Sequence, residues 1–342
     1  MKKKLIFSLL IIIAIGAMCA LKGYNMLFGK KIKLDDKKVV LYINEDDNYN
    51  KVFSLLCDSL DISNPQLLDW VAKKKSYPSL IKPGRYLFSG NMSYVDLINK
   101  LRSGEQSPID VTFNNVRTFN DLAGKVGGKI AADSVEILTF LNDESNYIRD
   151  GFTKETVMAV FIPNTYQMYW NTSAKGFYDR MLTEYKKFWN DSRLEKAASI
   201  NLTPIEVSTL ASIVDEEVTI REEKPRVAGV YLNRLRIGML LQACPTIRFA
   251  LNDFTITRVL NKHLTVESPY NTYKYKGLPP GPICCPSIEG IDAVLNAEKH
   301  DYLFFVAKPD FSGYNNYSRT LSEHNRYADA YHKELDRRRI FK

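Results

Sequence analysis

The chain has 342 residues, 45% of them hydrophobic and 25% charged, with 17 Gly and 14 Pro. These proportions exclude a fibrous, low-complexity or wholly disordered polymer and leave room for two or three modest domains. The net charge of +8, from 47 Lys and Arg against 39 Asp and Glu, suits either solubility or an anionic partner, but no basic block interleaved with aromatics points to nucleic acid.

The first element is apolar. In "MKKKLIFSLLIIIAIGAMCALKGYN" three lysines precede an apolar run from Leu5 to Leu21. A run of roughly 17 residues reaches the lower limit for crossing a hydrocarbon core and is long for a cleaved signal peptide. Residues 1–22 are expected to be a single-pass transmembrane anchor, with the body exported. Ala14, Gly16, Ala17 and Ala20 leave cleavage open, while Met18 is bulky for a lipoprotein site at Cys19. "KKIKLDDKKVV" follows as a polar tether.

Residues 39–107 read as a small α+β module. "VVLYI" is a strand, and "NYNKVFSLL" and "NPQLLDWVAKK" are helices, the second opening on Asn64 as cap and Pro65 at the first helical position. "KPGRYLF" is a turn and strand, and "MSYVDLINKLRSG" is a helix from Ser93 to Gly104. Residues 108–200 begin with a strand, "DVTFNN", and continue as a mostly helical connecting subdomain in which "FIPNTYQMYWNTS" is an aromatic, Pro-interrupted loop.

Residues 201–342 open on "LTPIEVSTLASIVDEEV", where Thr203, Pro204 and Glu206 form a capping box with Pro at its start. A second helix, "EKPRVAGVYLNRLRIGM", closes at Gly238; "LLQACPTIRFAL" and the loop-rich "SPYNTYKYKGLPPGPICCPS" follow. Then come a helix, "SIEGIDAVLNAEK", a buried strand, "YLFFVAKP", and a final helix ending basic.

The first of these helices ends on three acids. With about 100° per residue, Glu217 falls inside the stripe formed by Val207, Leu210, Ile213 and Val214, while Asp215 and Glu216 fall on its flanks. A carboxyl on an apolar face is paired, protonated or functional. Arg221, four residues on, is a possible partner. An apolar environment also raises a carboxyl pKa, and a carboxylic acid still protonated near neutrality can protonate the leaving oxygen of a glycosidic bond. A second carboxylate, as a hydrolase requires, has candidates in Glu222, Glu223 and Glu267. Without one, a single acid/base can still cleave a glycan by activating a hydroxyl of the substrate. The five cysteines and four scattered histidines form no metal-binding pattern.

"LASIVDEEV", "VAGVYLNRL", "GMLLQACPT", "SPYNTY", "GLPPGPI" and "EHN", in that order, closely resemble the endolytic murein transglycosylase (YceG-like) family. The match is strong over about Thr203–Asn325 and looser over the anchor, the "KPGRYLF" module and "FIPNTYQMY". The resemblance implies an N-terminal transmembrane helix, a LysM-like module and a larger mixed α/β catalytic domain. It implies an enzyme of the cytoplasmic (inner) membrane, its body outside the cytoplasm, that cuts nascent peptidoglycan strands between MurNAc and GlcNAc to leave 1,6-anhydro-MurNAc ends. Peptidoglycan synthases would be partners, and no metal or nucleotide cofactor is implied. A water-using muramidase and a non-enzymatic glycan-binding scaffold are the alternatives. The family's essential acid lands on Glu217. Asn233, Gln242, Thr246, Asn271 and Tyr273 fall at its cleft positions as substrate contacts or loop supports, and His324 as a loop-orienting residue. The chain departs from the family pattern at Asn164 and Cys244, where Asp is usual, and at Cys285, where Asn is common. The two cysteines raise a Cys244–Cys285 disulfide, with Cys284 as competing partner, against buried free thiols.

Overall fold

The computed structural model describes residues 2–339. Its first helix, α1 (Lys2–Phe28), contains one candidate membrane span, Ile6–Phe28, of 23 residues, whose most apolar stretch has a mean hydropathy of 2.3 and is unburied. At about 1.5 Å rise per residue that length suffices for a hydrocarbon core of about 30 Å.

The elements that follow are β1 (Lys38–Ile43), α2 (Tyr49–Ser59), α3 (Pro65–Lys74), β2 (Gly84–Ser89) and α4 (Tyr94–Ser103). β1 pairs antiparallel with β2, from Lys38 opposite Ser89 to Ile43 opposite Gly84. Local chemistry sets the helix starts. Asn48 and Asn64 accept from the Lys51 and Leu67 amides, and Ser93 and Asp96 close a capping box. Gly104 ends α4 at φ +76°. Leu56, Leu68, Val71, Tyr77, Tyr86, Phe88, Leu97 and Leu101 form this unit's core.

Next come β3 (Ile109–Phe113), α5 (Phe119–Val126), α6 (Ser134–Asn142), β4 (Asn164–Met168), α7 (Ala174–Phe188) and α8 (Asp191–Ser199). The expected loop at "FIPNTYQMYWNTS" is thus partly a strand: β4 pairs with β3, and its buried Tyr166 and Met168 alternate with exposed neighbours.

The last stretch holds α9 (Pro204–Glu217), α10 (Lys224–Arg236), α11 (Cys244–Ala250), α12 (Ile288–Leu295), β5 (Phe304–Ala307), β6 (Asn315–Ser318) and α13 (Leu321–Arg337). β5 and β6 form an antiparallel hairpin, Phe304 opposite Ser318. The expected buried strand is half-buried at all four positions, with Phe304 against His324 and Phe305 against Tyr231. The chain divides into two compact units. One comprises residues up to Asp110, with Lys129–Ala131 and Gln167–Thr172; the other comprises Val111–Gly128, Ala132–Tyr166 and the chain from Ser173 onward.

In the second unit α9 is the central helix. Its start is the expected capping box, with Thr203 accepting from the Glu206 amide. Every residue from Val207 to Val214 is buried, so the helix is enclosed on all sides and not along one stripe. Its serine and threonine hydroxyls donate back to helix carbonyls, Ser212 to Thr209 at 2.7 Å, which makes an all-buried helix tolerable.

Candidate active site

The three acids at the end of α9 have three different fates. Asp215 accepts from Lys224 Nζ at 2.9 Å, from the Ser287 amide at 2.7 Å and from Ser287 Oγ at 3.0 Å. It thereby fastens α9 to the N-terminus of α12. A Cβ at Gly290 would lie 2.5 Å from this carboxylate, so only glycine lets α12 approach it. Burial works against the charge of Lys224, but its bonds to Asp215 and Glu289 prevail and raise its pKa. Glu216 takes a two-pronged ion pair from Arg117, 3.1 Å from Nε and 2.9 Å from Nη2. Both acids are committed to holding structure.

Glu217 is different. Its partner is the Tyr231 hydroxyl on α10, which donates to Oε1 at 3.0 Å. The pairing with Arg221 does not form; that arginine lies 3.9 Å from Glu289. Neighbouring atoms crowd the Glu217 carboxyl, although the residue keeps some solvent access. Burial raises its pKa from 4.5 to about 7, against the opposing pulls of the Tyr231 bond, the Arg248 charge, the Cys244 amide and the Arg234 charge. A group poised there carries a proton for part of the time at neutral pH and can both give and take one.

The surrounding walls are rigid. Tyr231 is buried with its ring edge against Phe305, at 5.9 Å between centroids, and burial pushes its hydroxyl well above the ordinary phenol range. It is therefore a fixed donor. Arg234, also buried, donates to the Leu303 carbonyl at 2.7 Å and the Leu241 carbonyl at 2.5 Å, and burial lowers its pKa. Cys244 Sγ lies 3.2 Å from the Tyr273 hydroxyl, and burial raises the pKa of both groups.

The remaining residues singled out from sequence divide by access. Thr246 and Asn271 are fully buried. Thr246 Oγ1 donates to the Ala243 carbonyl at 2.8 Å, and Asn271 Nδ2 donates to the Leu264 and Val266 carbonyls at 2.9 and 2.8 Å. Their polar atoms are spent on loops. Asn233 Nδ2 donates to the His300 and Tyr302 carbonyls at 2.7 and 3.1 Å, which again fixes a loop, the one entering β5. Gln242 is exposed in a left-handed conformation, φ +50°, with its amide donating to the Thr272 carbonyl at 3.1 Å. Gln242 and Tyr273 are the two that retain solvent access without such a clamp. His324 stacks on Phe304 at 5.4 Å, and burial lowers its pKa.

The proposed staple is absent: all five cysteines are free. Cys285 Sγ points at Met158 Sδ, 3.1 Å away, and Cys284 Sγ at the Ser212 carbonyl, 3.7 Å away. Both are buried and behave as small apolar groups. Asn164, the third departure, is exposed and its Oδ1 accepts from the Thr165 amide.

Of the candidate second carboxylates, Glu223 accepts from the Asn315 amide, Asn315 Nδ2 and the Tyr317 hydroxyl. Glu267 is held by Lys274 and Tyr275, while Glu222 is exposed. Tyr231, Arg234 and Arg248 were not singled out from sequence. The tyrosine offered a signal, since it lies two residues before Asn233 on the buried face of a helix.

The family model described as YceG-like matches residues 41–330. The endolytic murein transglycosylase of Bacillus subtilis (strain 168) is 27% identical over 330 residues, 90% of each chain. Its namesake from Streptococcus pneumoniae serotype 2 is 27% identical over 89% of this chain, which spans 61% of that longer protein. The crystal structure of a yceG-like protein from Listeria monocytogenes superposes with a TM-score of 0.55 and 25% identity, covering 84% of this chain and 98% of that one.

Proposed function

The chain belongs to the YceG-like family, and we propose that it is a membrane-anchored endolytic transglycosylase in which Glu217 cuts peptidoglycan glycan strands without consuming water. The observation that carries this reading is Glu217 itself: a single crowded carboxyl with a pKa of about 7, oriented by Tyr231. The charges that act most on it are the cations Arg248 and Arg234. The adjacent acids Asp215 and Glu216 are engaged by Lys224 and Arg117.

In this mechanism protonated Glu217 gives its proton to the oxygen leaving MurNAc C1 as the glycosidic bond breaks. The resulting carboxylate then takes the proton of the MurNAc 6-hydroxyl, whose oxygen closes onto C1. Glu217 ends protonated, and the product carries a 1,6-anhydro end. Acid catalysis of this kind contributes roughly 10²–10⁴-fold, and holding the 6-hydroxyl near C1 contributes through proximity. Gln242 and Tyr273 are the proposed substrate contacts.

α1 would anchor the protein in the cytoplasmic membrane with both units outside, near newly made strands and their synthases, where tethering raises effective concentration. The strand–helix–helix–strand order of β1, α2, α3 and β2, with β1 paired to β2, supports a LysM-like glycan-binding module. The test is mass spectrometry of glycan ends after digestion of uncrosslinked strands. An end about 18 Da lighter than the hydrolytic one, the mass of the water not consumed, is expected. Reducing ends would make the enzyme a muramidase, and uncut strands would leave a binding scaffold.

A further inference from the structure

We propose that the chain leaving α1 is a rigid mount and not a tether, and that its outward lysines seat the first unit on the anionic lipid headgroups of the membrane in which α1 would sit. This rests on the anchoring read from α1 above and adds what the protein touches beside it. By composition alone "KKIKLDDKKVV" is a polar tether. The structure fastens it.

Leu27, in the last turn of α1, packs on the core of the first unit, and α1 lies against α4. Gly29 donates its amide to the Asn25 carbonyl at 3.0 Å, and a Cβ at Gly29 would strike that carbonyl, so the chain leaves the helix by a tight path open to glycine. Ile32 and Met92 then exchange both backbone hydrogen bonds, at 3.0 and 3.1 Å. Asn91 Oδ1 accepts from the Leu34 amide at 2.9 Å and the Asp35 amide at 3.1 Å, while its Nδ2 donates to the Asp35 carboxylate at 3.3 Å. Ile32 and Leu34 are themselves part of the core. These partners are more than fifty residues away in the chain, so the exit is held by the fold of the unit and not by a local turn.

The same bonds set where the charge points. Along this extended segment Ile32 and Leu34 are buried while Lys31 and Lys33, between and before them, are exposed. Lys22, Lys30, Lys31 and Lys33 have no ion pair among the described residues, and all four are exposed. Asp35 is turned to Asn91, and Asp36, Lys37 and Lys38 follow, so the exit carries five lysines against two aspartates. Lys31 is three residues past Phe28, the end of the span. At no more than about 3.6 Å per residue its Cα lies within about 11 Å of the hydrocarbon edge, which is the range over which surface charge acts in physiological salt. Tyr24 and Phe28 stack at 4.9 Å near the end of α1, the kind of aromatic pair that lies at headgroup level. A basic collar continuous with a span, and flanked by aromatics, fits anionic phosphate headgroups. Because the collar cannot swing away, the first unit stays at the surface.

The test uses the full chain in lipid nanodiscs of phosphatidylcholine alone, or of phosphatidylcholine and phosphatidylglycerol in equal parts. Hydrogen exchange should find the Ile32, Leu34, Asp35 and Met92 amides protected in both. N91A should speed exchange at Leu34 and Asp35 about three- to tenfold, the scale of one hydrogen bond; should N91A fail to fold, the wild-type protection still decides. Amine labelling, read by mass spectrometry against a free lysine peptide as internal standard, should modify Lys31 and Lys33 about fivefold more slowly in the anionic discs, the scale of one lysine at such a surface. High salt should erase the difference. Open-chain exchange at Ile32 and Met92 would make the exit a tether and overturn the mount. Protected amides with equal labelling in the two lipids would overturn the headgroup contact, and shielding that survives high salt would make it steric and not electrostatic. Failure of the full chain to enter either disc would remove the anchor on which this rests, whereas the analysis of glycan ends reads the catalytic proposal independently.

Discussion

The Tyr231 hydroxyl donates to Glu217 Oε1 at 3.0 Å, and this bond joins α10 to the one of the three acids closing α9 that has no cationic partner among the described ion pairs. A phenylalanine would fill the same apolar space against Phe305, so the hydroxyl is explained by the carboxyl it meets. It pins the carboxyl through Oε1. It also favours the anion, because a donated bond stabilises the charged form.

Y231F is therefore expected to move the alkaline limb of the pH–rate profile upward by about half to one unit. The rate at its optimum should fall about 2–10-fold, the worth of one neutral hydrogen bond. The sign follows from the chemistry: protonated Glu217 starts the reaction, so activity falls as pH rises through its pKa, and loss of the tyrosine bond raises that pKa. The profile of kcat/KM against pH checks this. A rate loss with an unmoved limb would reduce Tyr231 to packing.

E217Q is expected to lower strand cleavage by at least about 10²–10⁴-fold, because glutamine keeps the shape and hydrogen bonding but supplies no proton. E216Q breaks the two-pronged pair with Arg117 and should cost stability while most activity remains. Rates of release of soluble glycan by the two folded variants decide the assignment, and the reverse ranking would transfer the acid to Glu216.

Much of this frame is local chemistry and could be read from the residues. The α9 capping box, the Asn64 and Ser93 caps and the turn at Gly104 each depend on groups three or four positions apart. β4 was missed because its alternation spans only two buried residues, Tyr166 and Met168, just after a proline, and its pairing with β3 is a tertiary event. β6, "NNYS", has no apolar alternation and is held by Glu223 reaching from outside the sheet. The helical wheel singled out Glu217, yet α9 is buried all round over Val207–Val214. What separates the three acids is the partner each one meets, and those partners lie far away in sequence. The same limit applies to Thr246 and Asn271, since a motif cannot say whether a polar group faces substrate or its own backbone.

Burial of Glu217 has a thermodynamic counterpart. Its folded pKa of about 7 lies above the ordinary 4.5, so between these values the folded state holds more proton than the unfolded one. This contribution is fully present below about pH 4.5 and is lost as pH rises through about 7, on the order of 3 kcal/mol in all. Glutamine does not titrate. Relative to wild type, E217Q should therefore gain stability between about pH 4.5 and pH 7 and level off on either side. Urea midpoints of the two proteins at several pH values measure the difference, and a constant difference would mean that Glu217 titrates as an exposed acid.

The cysteines supply the last prediction. Exchange of two polar family positions for Cys244 and Cys285 invited a covalent staple, but each sulfur has found a different neighbour: Cys244 the Tyr273 hydroxyl, Cys285 the Met158 thioether. Cys284 is turned onto the Ser212 carbonyl inside α9. Burial holds all three thiols protonated by raising their pKa, which makes them poor nucleophiles. Thiol labelling of native protein should therefore modify Cys19 of the apolar helix in detergent before Cys244, and leave Cys284 and Cys285 unmodified. Denatured, unreduced protein should label at all five positions. Mass spectrometry of the labelled peptides reads each site, and a Cys244 peptide that stays blocked until a reductant is added would restore the disulfide.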